Sequence, residues 1–221
     1  AILLISSTYA WFTANRTVTI STIDVNVAAQ NGLQISTDAT TWKTIISNAD
    51  ITTNAYGGNL NQLPTTMEPV STIGEIDDTT GYMKMYYGTV LANATTGVYE
   101  LTAVAAPESS TNTKFIAFDV FLRVDEDSQL YMTTDSNVTY KTTIVDGESV
   151  GTDTGLKNAA RVAFCVEGHV AAGSTVADIV APKGAVSHGE TGSTVFIWEP
   201  NYDAHTTAGV SAARDSYGIT T

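Results

Sequence analysis

"KFIAFDVFLRV", residues 114–124, alternates so cleanly that it decides the fold class. Successive side chains of an extended chain point to opposite faces, so Ile116, Phe118, Val120, Leu122 and Val124 line one side. Phe115, Ala117 and Phe121 lie on the other. A run that is apolar on both sides is expected at the centre of a sheet, covered above and below. "ARVAFCVEG", residues 160–168, has the same character.

The two-residue period recurs on either side of these stretches. Val18 and Ile20 share one face, whereas Ile23, Val25 and Val27 follow the other register, so a bulge or bend is expected around Ser21 and Thr22. "GLQIS" and "WKTII" read as short strands separated by a turn in "TDATT". "YMKMYYGTVL" and "VYELTAVAA" read as a hairpin joined by "ANATTG". "QLYMTT", "VTYKTTIV", "TVADIVAP" and "TVFIWEP" supply further expected strands, and only "TGLKNAA" and "TTAGVSAARDSYG" suggest short helices. Residues 47–80 are rich in Asn, Gly, Thr and Pro and read as a long excursion over the surface. The expected fold is all-β: a jelly-roll or Greek-key β-sandwich occupying 15–221 as one domain, preceded by an apolar segment at 1–14.

Composition narrows the function classes. Hydrophobic residues make up 43% of the 221-residue chain and charged residues 15%, enough apolar content for a sizeable core. The net charge of −13 repels phosphate backbones and anionic lipid surfaces, which argues against nucleic acid as a partner. Cys165 is the single cysteine, so no intrachain disulfide forms; in its apolar setting it reads as a small buried hydrophobe.

No catalytic constellation emerges, and no cofactor is expected. His169, His188 and His205 have neither H-E-x-x-H spacing nor another zinc arrangement, and Ser187 beside His188 lacks a G-x-S-x-G elbow. The acidic stretches around Asp77 and Asp78 and around Asp125 and Asp127 contain hard oxygen ligands suited to calcium, but they lack the EF-hand ladder and read as solvated turns. Asn15, Asn93 and Asn137 sit in Asn-x-Ser/Thr sequons at the density that chance gives.

The N-terminal stretch "AILLISSTYAWFTANRTVTISTIDVNV" is the most distinctive. Residues 1–12 are too short to span a bilayer, and Ser6, Ser7 and Thr8 interrupt a pilin-type helix. A signal-peptide remnant and a strand folded back into its own sheet are competing readings. With Tyr9, Ala10, Trp11 and Phe12 at an aromatic junction and Thr22, Ile23, Asp24 and Val25 in the following strand, the first 28 residues resemble the start of the TasA/camelysin family of bacterial matrix-filament proteins. Members are usually cut near the junction, whereas this chain carries Ala1 to Tyr9; the expectation is cleavage upstream, leaving the apolar segment in the mature protein.

The resemblance implies that the N-terminal segment leaves its own subunit and pairs into the incomplete sheet of the next. Ile2, Leu3, Leu4, Ile5, Tyr9, Trp11 and Phe12 would form this polymerisation strand. The expected function is therefore that of a non-enzymatic, secreted subunit of an extracellular filament. Its partners would be copies of itself, with no membrane in the mature form. The alternative is a monomeric cell-surface adhesin or carbohydrate-binding module using aromatics of "NAYGG" or "WEPNYD".

Overall fold

The computed structural model describes residues 18–20, 22–27, 32–53, 56–57, 61–77, 80–109, 111, 114–152, 159–181 and 195–200. The expected polymerisation strand, Asp78, His188 and His205 lie outside them, as does most of the stretch expected to form "TGLKNAA" as a helix and all of "TTAGVSAARDSYG". Strand far outweighs helix among the described residues, which makes the fold mainly β.

Among the described residues the strands pair as six two-stranded ribbons. The chain divides into two compact units, Ala1–Gln129 with Cys165–Val195 and Leu130–Phe164 with Phe196–Thr221. In the first, β1 (Val18–Thr19) pairs with β5 (Thr66–Met67), β2 (Asp24–Asn26) with β4 (Ile45–Ser47), β3 (Gln34–Ser36) with β8 (Phe121–Arg123), and β6 (Tyr86–Ala92) with β7 (Tyr99–Ala105). In the second, β9 (Thr142–Val145) pairs with β10 (Glu148–Gly151). β11 (Val162–Cys165) pairs with β12 (Val195–Trp198).

The core of the first unit is small and built on isoleucine. Ile35 of β3, Ile46 of β4 and Ile51 are essentially inaccessible to solvent, and Ile23, Val25, Val27, Leu63 and Phe118 pack around them. The register explains the selection: Val25 lies opposite Ile46 and both turn inward, while Asn26 opposite Ile45 turns outward, leaving Ile45 exposed. Ile51 comes from α1 (Asn48–Thr53), inside the stretch read from sequence as a surface excursion. Asp50 organises that helix start. Its carboxylate accepts from the Ser47 N–H at 3.0 Å and hydroxyl at 3.1 Å, and from Lys43 Nζ at 2.5 Å. The Lys43 bond and the Ser47 N–H bond together hold the Asp50 pKa down to about 2.

Side-chain polar groups fix the connections. Asp38 folds the "TDATT" turn, its Oδ1 accepting from the N–H of Thr40 at 2.8 Å and of Thr41 at 2.6 Å and from the Ser36 hydroxyl at 2.9 Å, with Ala39 in the left-handed region at φ 56°. Partial burial opposes ionisation there, but these donors outweigh it and keep the carboxyl well below the usual range. Gln62 is buried, also within the expected excursion; its Nε2 donates to the Phe115 carbonyl at 2.6 Å and its Oε1 accepts from the Ser109 N–H at 2.9 Å. Its main chain exchanges two further bonds with Ala117.

That clamp accounts for the largest departure from the sequence reading. Residues 114–124 form a strand only at Phe121–Arg123; Phe115 and Ala117 are held instead by the distant Gln62, Ala117 through a single antiparallel bridge. Val120, Leu122 and Val124 are exposed, so the stretch is not covered on both sides. "TVADIVAP" forms a helix rather than a strand: in α2 (Val176–Val180) Thr175 and Asp178 make a reciprocal capping box. "QLYMTT" forms no strand. The β9–β10 hairpin closes through Asp146 and Gly147, both at positive φ (51° and 84°), as a two-residue turn with the twist of its strands.

Truncating Ile51 to Ala should cost about 2–5 kcal/mol in urea unfolding, since a buried side chain leaves a cavity. Ile73→Ala, at 73% exposure, should change stability by no more than about 0.5 kcal/mol. The carboxylates add a pH dependence whose sign follows from their lowered pKa values. Asp residues of the unfolded chain take up protons near pH 4, while native Asp50 resists until about pH 2. The stability contributed by Asp50 is therefore full above pH 4 and lost as pH falls toward 2; Asp50→Asn should flatten that part of a urea-midpoint profile.

Candidate functional site

The β6–β7 ribbon is the longest in the structure, seven residues on each strand. Its turn is set by Asn93, whose Oδ1 accepts from the N–H groups of Thr95 at 2.9 Å and Thr96 at 3.1 Å while its carbonyl accepts from Gly97 at 2.8 Å. Gly97 sits at φ 69°, where a side chain would be strained. At the root, Ser71 and Tyr86 exchange two main-chain bonds of 2.8 Å, and Lys114 stands 4.1 Å from the Tyr87 ring centroid while pairing with Glu68 at 2.5 Å. A cleft of about 240 Å³ opens beside the root, between Tyr87, Ala105, Pro107 and Lys114.

The register divides the ribbon into two unlike faces. On one, Tyr86, Gly88, Val90 and Ala92 oppose Ala105, Ala103, Leu101 and Tyr99, with no charged side chain and the Tyr hydroxyls as the only polar atoms. On the other, Tyr87, Thr89 and Leu91 oppose Val104, Thr102 and Glu100. An apolar sheet face is normally packed against a second layer. Here Val90 is 50% exposed, Tyr99 58% and Leu101 77%. Gly88 leaves room for Leu101, whose Cδ1 lies 2.9 Å from the place a Cβ on residue 88 would take.

The same register fixes where the main chain points. The Ala106 N–H donates to Met85 and the Asn93 N–H to Val98, so bonded pairs recur at every second position between them. The intervening pairs are those of the apolar face. Their N–H and C=O groups therefore point away from the partner strand: toward the β6 edge at Gly88, Val90 and Ala92, and toward the β7 edge at Tyr99, Leu101, Ala103 and Ala105. Among the described residues, Ser71 bonds the β6 edge at Tyr86 and no main-chain bond closes the β7 edge. Edge strands in folded proteins are usually shielded by Lys, Pro or a bulge, and β7 has none of them.

The other residues singled out from sequence are dispersed. Asp77 serves a turn, its Oδ1 accepting from the Thr80 N–H at 3.1 Å. The Asp125 carboxylate packs against Gly32, and Asp127 is exposed. Among the described residues no group of three or more His, Cys, Asp or Glu is assembled for a metal ion. Cys165 is half-buried in β11 and His169 is exposed. Tyr56 of "NAYGG" is turned into the unit: its hydroxyl donates to Asp119 at 2.7 Å, and its ring meets Phe121 edge-on at 5.3 Å. Burial, then the Asp119 bond, pushes its pKa far above the ordinary value.

Sequence reading identifies the hairpin but not its open edge. The signal is present in the alternation of Tyr99, Leu101, Ala103 and Ala105 with Glu100 and Thr102, and it becomes legible once the opposite strand is aligned. No helix among the described residues is long and apolar enough to cross a membrane. No protein-family model, curated protein or solved structure matches the chain, so the function of this ribbon is read from its own chemistry.

Proposed function

We infer that the chain is a non-enzymatic structural subunit of an extracellular filament, polymerising head to tail as its N-terminal segment adds a strand to a neighbouring subunit. The observation that carries this reading is the β6–β7 ribbon, whose apolar face is exposed and whose outer edge has no main-chain partner among the described residues. A two-stranded ribbon alone is marginal in water, and an added strand satisfies its edge groups and covers apolar surface in one step. In this reading the ribbons are parts of a jelly-roll sandwich that a donor strand completes. Donor and acceptor are different surfaces, so each subunit keeps one of each and growth continues.

The segment suits the task by composition. Ile2, Leu3, Leu4 and Ile5 carry the apolar load, Tyr9, Trp11 and Phe12 extend it, and residues 1–15 contain no Asp, Glu, Lys or Arg. Burial of each large side chain contributes roughly 1.5–3 kcal/mol before ordering costs are subtracted. The adhesin alternative has less support, because Tyr56 is engaged by Asp119 and Phe121 rather than presented as a flat sugar platform.

Deleting residues 1–13 should abolish fibres in negative-stain images while a synthetic peptide of those residues binds the truncated chain. Native-looking fibres from the truncated chain would refute the reading. Replacing His169, His188 and His205 together by Gln should leave assembly unchanged; chelator-sensitive peptide hydrolysis by the parent chain would argue instead for an enzyme.

A further inference from the structure

We propose that the outer edge of β7 is the acceptor, and that its occupant is the segment 1–12 of a second copy of this chain; this rests on the filament reading above. The main chain gives the first argument. Tyr99, Leu101, Ala103 and Ala105 direct their N–H and C=O groups outward, and a row of alternating donors and acceptors is matched along its length by another extended backbone. The side chains of the same four residues lie on the apolar face, so an added strand widens that face from two strands to three.

Charge gives the second argument. Two copies carrying −13 each repel wherever their acidic surfaces meet, so a stable contact needs a stretch free of charge on both sides. From Tyr86 to Ala105 the only charged residue is Glu100, which lies on the opposite face and accepts from Asn93 Nδ2 at 2.9 Å. The segment 1–12 has no charged side chain at all. Reach gives the third. The stretch 1–17 precedes β1, so seven residues can pair with the seven of β7 while ten remain to bridge about 33 Å. The β6 edge is the poorer acceptor, because Ser71 already bonds it at Tyr86 and Gly88 interrupts its side chains.

The alternation supplies a clean test in the full chain. Ala103→Pro removes an outward N–H without taking a bond from the β6–β7 ladder, since proline is tolerated on the solvent side of an edge strand. It should unfold within a few degrees of the parent chain yet assemble at least tenfold more slowly. Leu101→Asp, at a site 77% exposed, should behave alike and serves if the proline variant fails to fold. In assembled parent chain the amides of Tyr99, Leu101, Ala103 and Ala105 should exchange at least tenfold more slowly than in monomer.

Normal assembly by both variants, with none by the chain lacking 1–13, would overturn the β7 assignment and leave the filament reading standing. Normal assembly by the truncated chain as well would remove that reading too. If the variants fail but the truncated chain assembles, the occupant is another surface, such as a second β7, and the assignment to 1–12 is wrong. Slow exchange of the four amides already in monomer would assign the edge to a partner within the same chain and also overturn it.

Discussion

Main-chain amides that need partners are the constraint on which this structure turns. The ribbons are short, and two strands satisfy only half of each other's groups, so most of the hydrogen bonding has to be found elsewhere. Side chains supply much of it. Gln62 holds Phe115 and Ser109, Asp38 holds Thr40 and Thr41, and Asn93 holds Thr95 and Thr96. The edge of β7 is the longest described row for which no such side chain is provided. Turns capped by side chains beside an apolar β7 edge left bare among the described residues have the chemistry of an interface.

The small core fits the same account. Ile35, Ile46 and Ile51 are buried, yet Leu101, Tyr131 and Ile144 are each more than 70% exposed. Large apolar side chains left in water in one monomer become favourable only when another surface covers them. A net charge of −13 opposes indiscriminate association at the same time, because copies repel except where a neutral stretch is offered. In the proposed filament, attraction and repulsion together would select which surfaces meet.

How much of this was legible in the sequence depended on whether local pattern or distant contact decided each element. The β6–β7 hairpin and the "TDATT" turn were readable, since Asn93 and Asp38 act on residues two or three positions away. The shared register of Ile23, Val25 and Val27 was also readable, since all three pack against the core. Residues 114–120 were misread because their partner is Gln62, more than fifty positions earlier, and a glutamine in a polar stretch gives no sign of its burial. "TVADIVAP" is rich in β-branched residues yet forms a helix, because Thr175 and Asp178 cap its first turn. The Asp146-Gly147 pair between β9 and β10 is a local hairpin signal of the same kind. Of the candidate site, the apolar residues were readable but their unpaired edge was not, since being unpaired is a property of the surroundings. The N-terminal residues expected to act lie outside the described structure.

The turn at Asn93 also sets an order of events. β6 and β7 are joined by six residues, from Asn93 to Val98, so the ribbon closes locally and a hairpin of this kind forms in about 1–10 μs. β3 waits for β8, which brings Ser36 to Phe121 across most of the first unit, and loops of that span close more slowly. The ribbon can therefore close before β3 meets β8. During synthesis the ribbon can close while β8 and the strands after it are still to be made, so the exposed edge of β7 is present before the first unit is complete. An exposed strand edge is a template for pairing with other chains, so the order of closure sets how long the nascent chain carries that hazard.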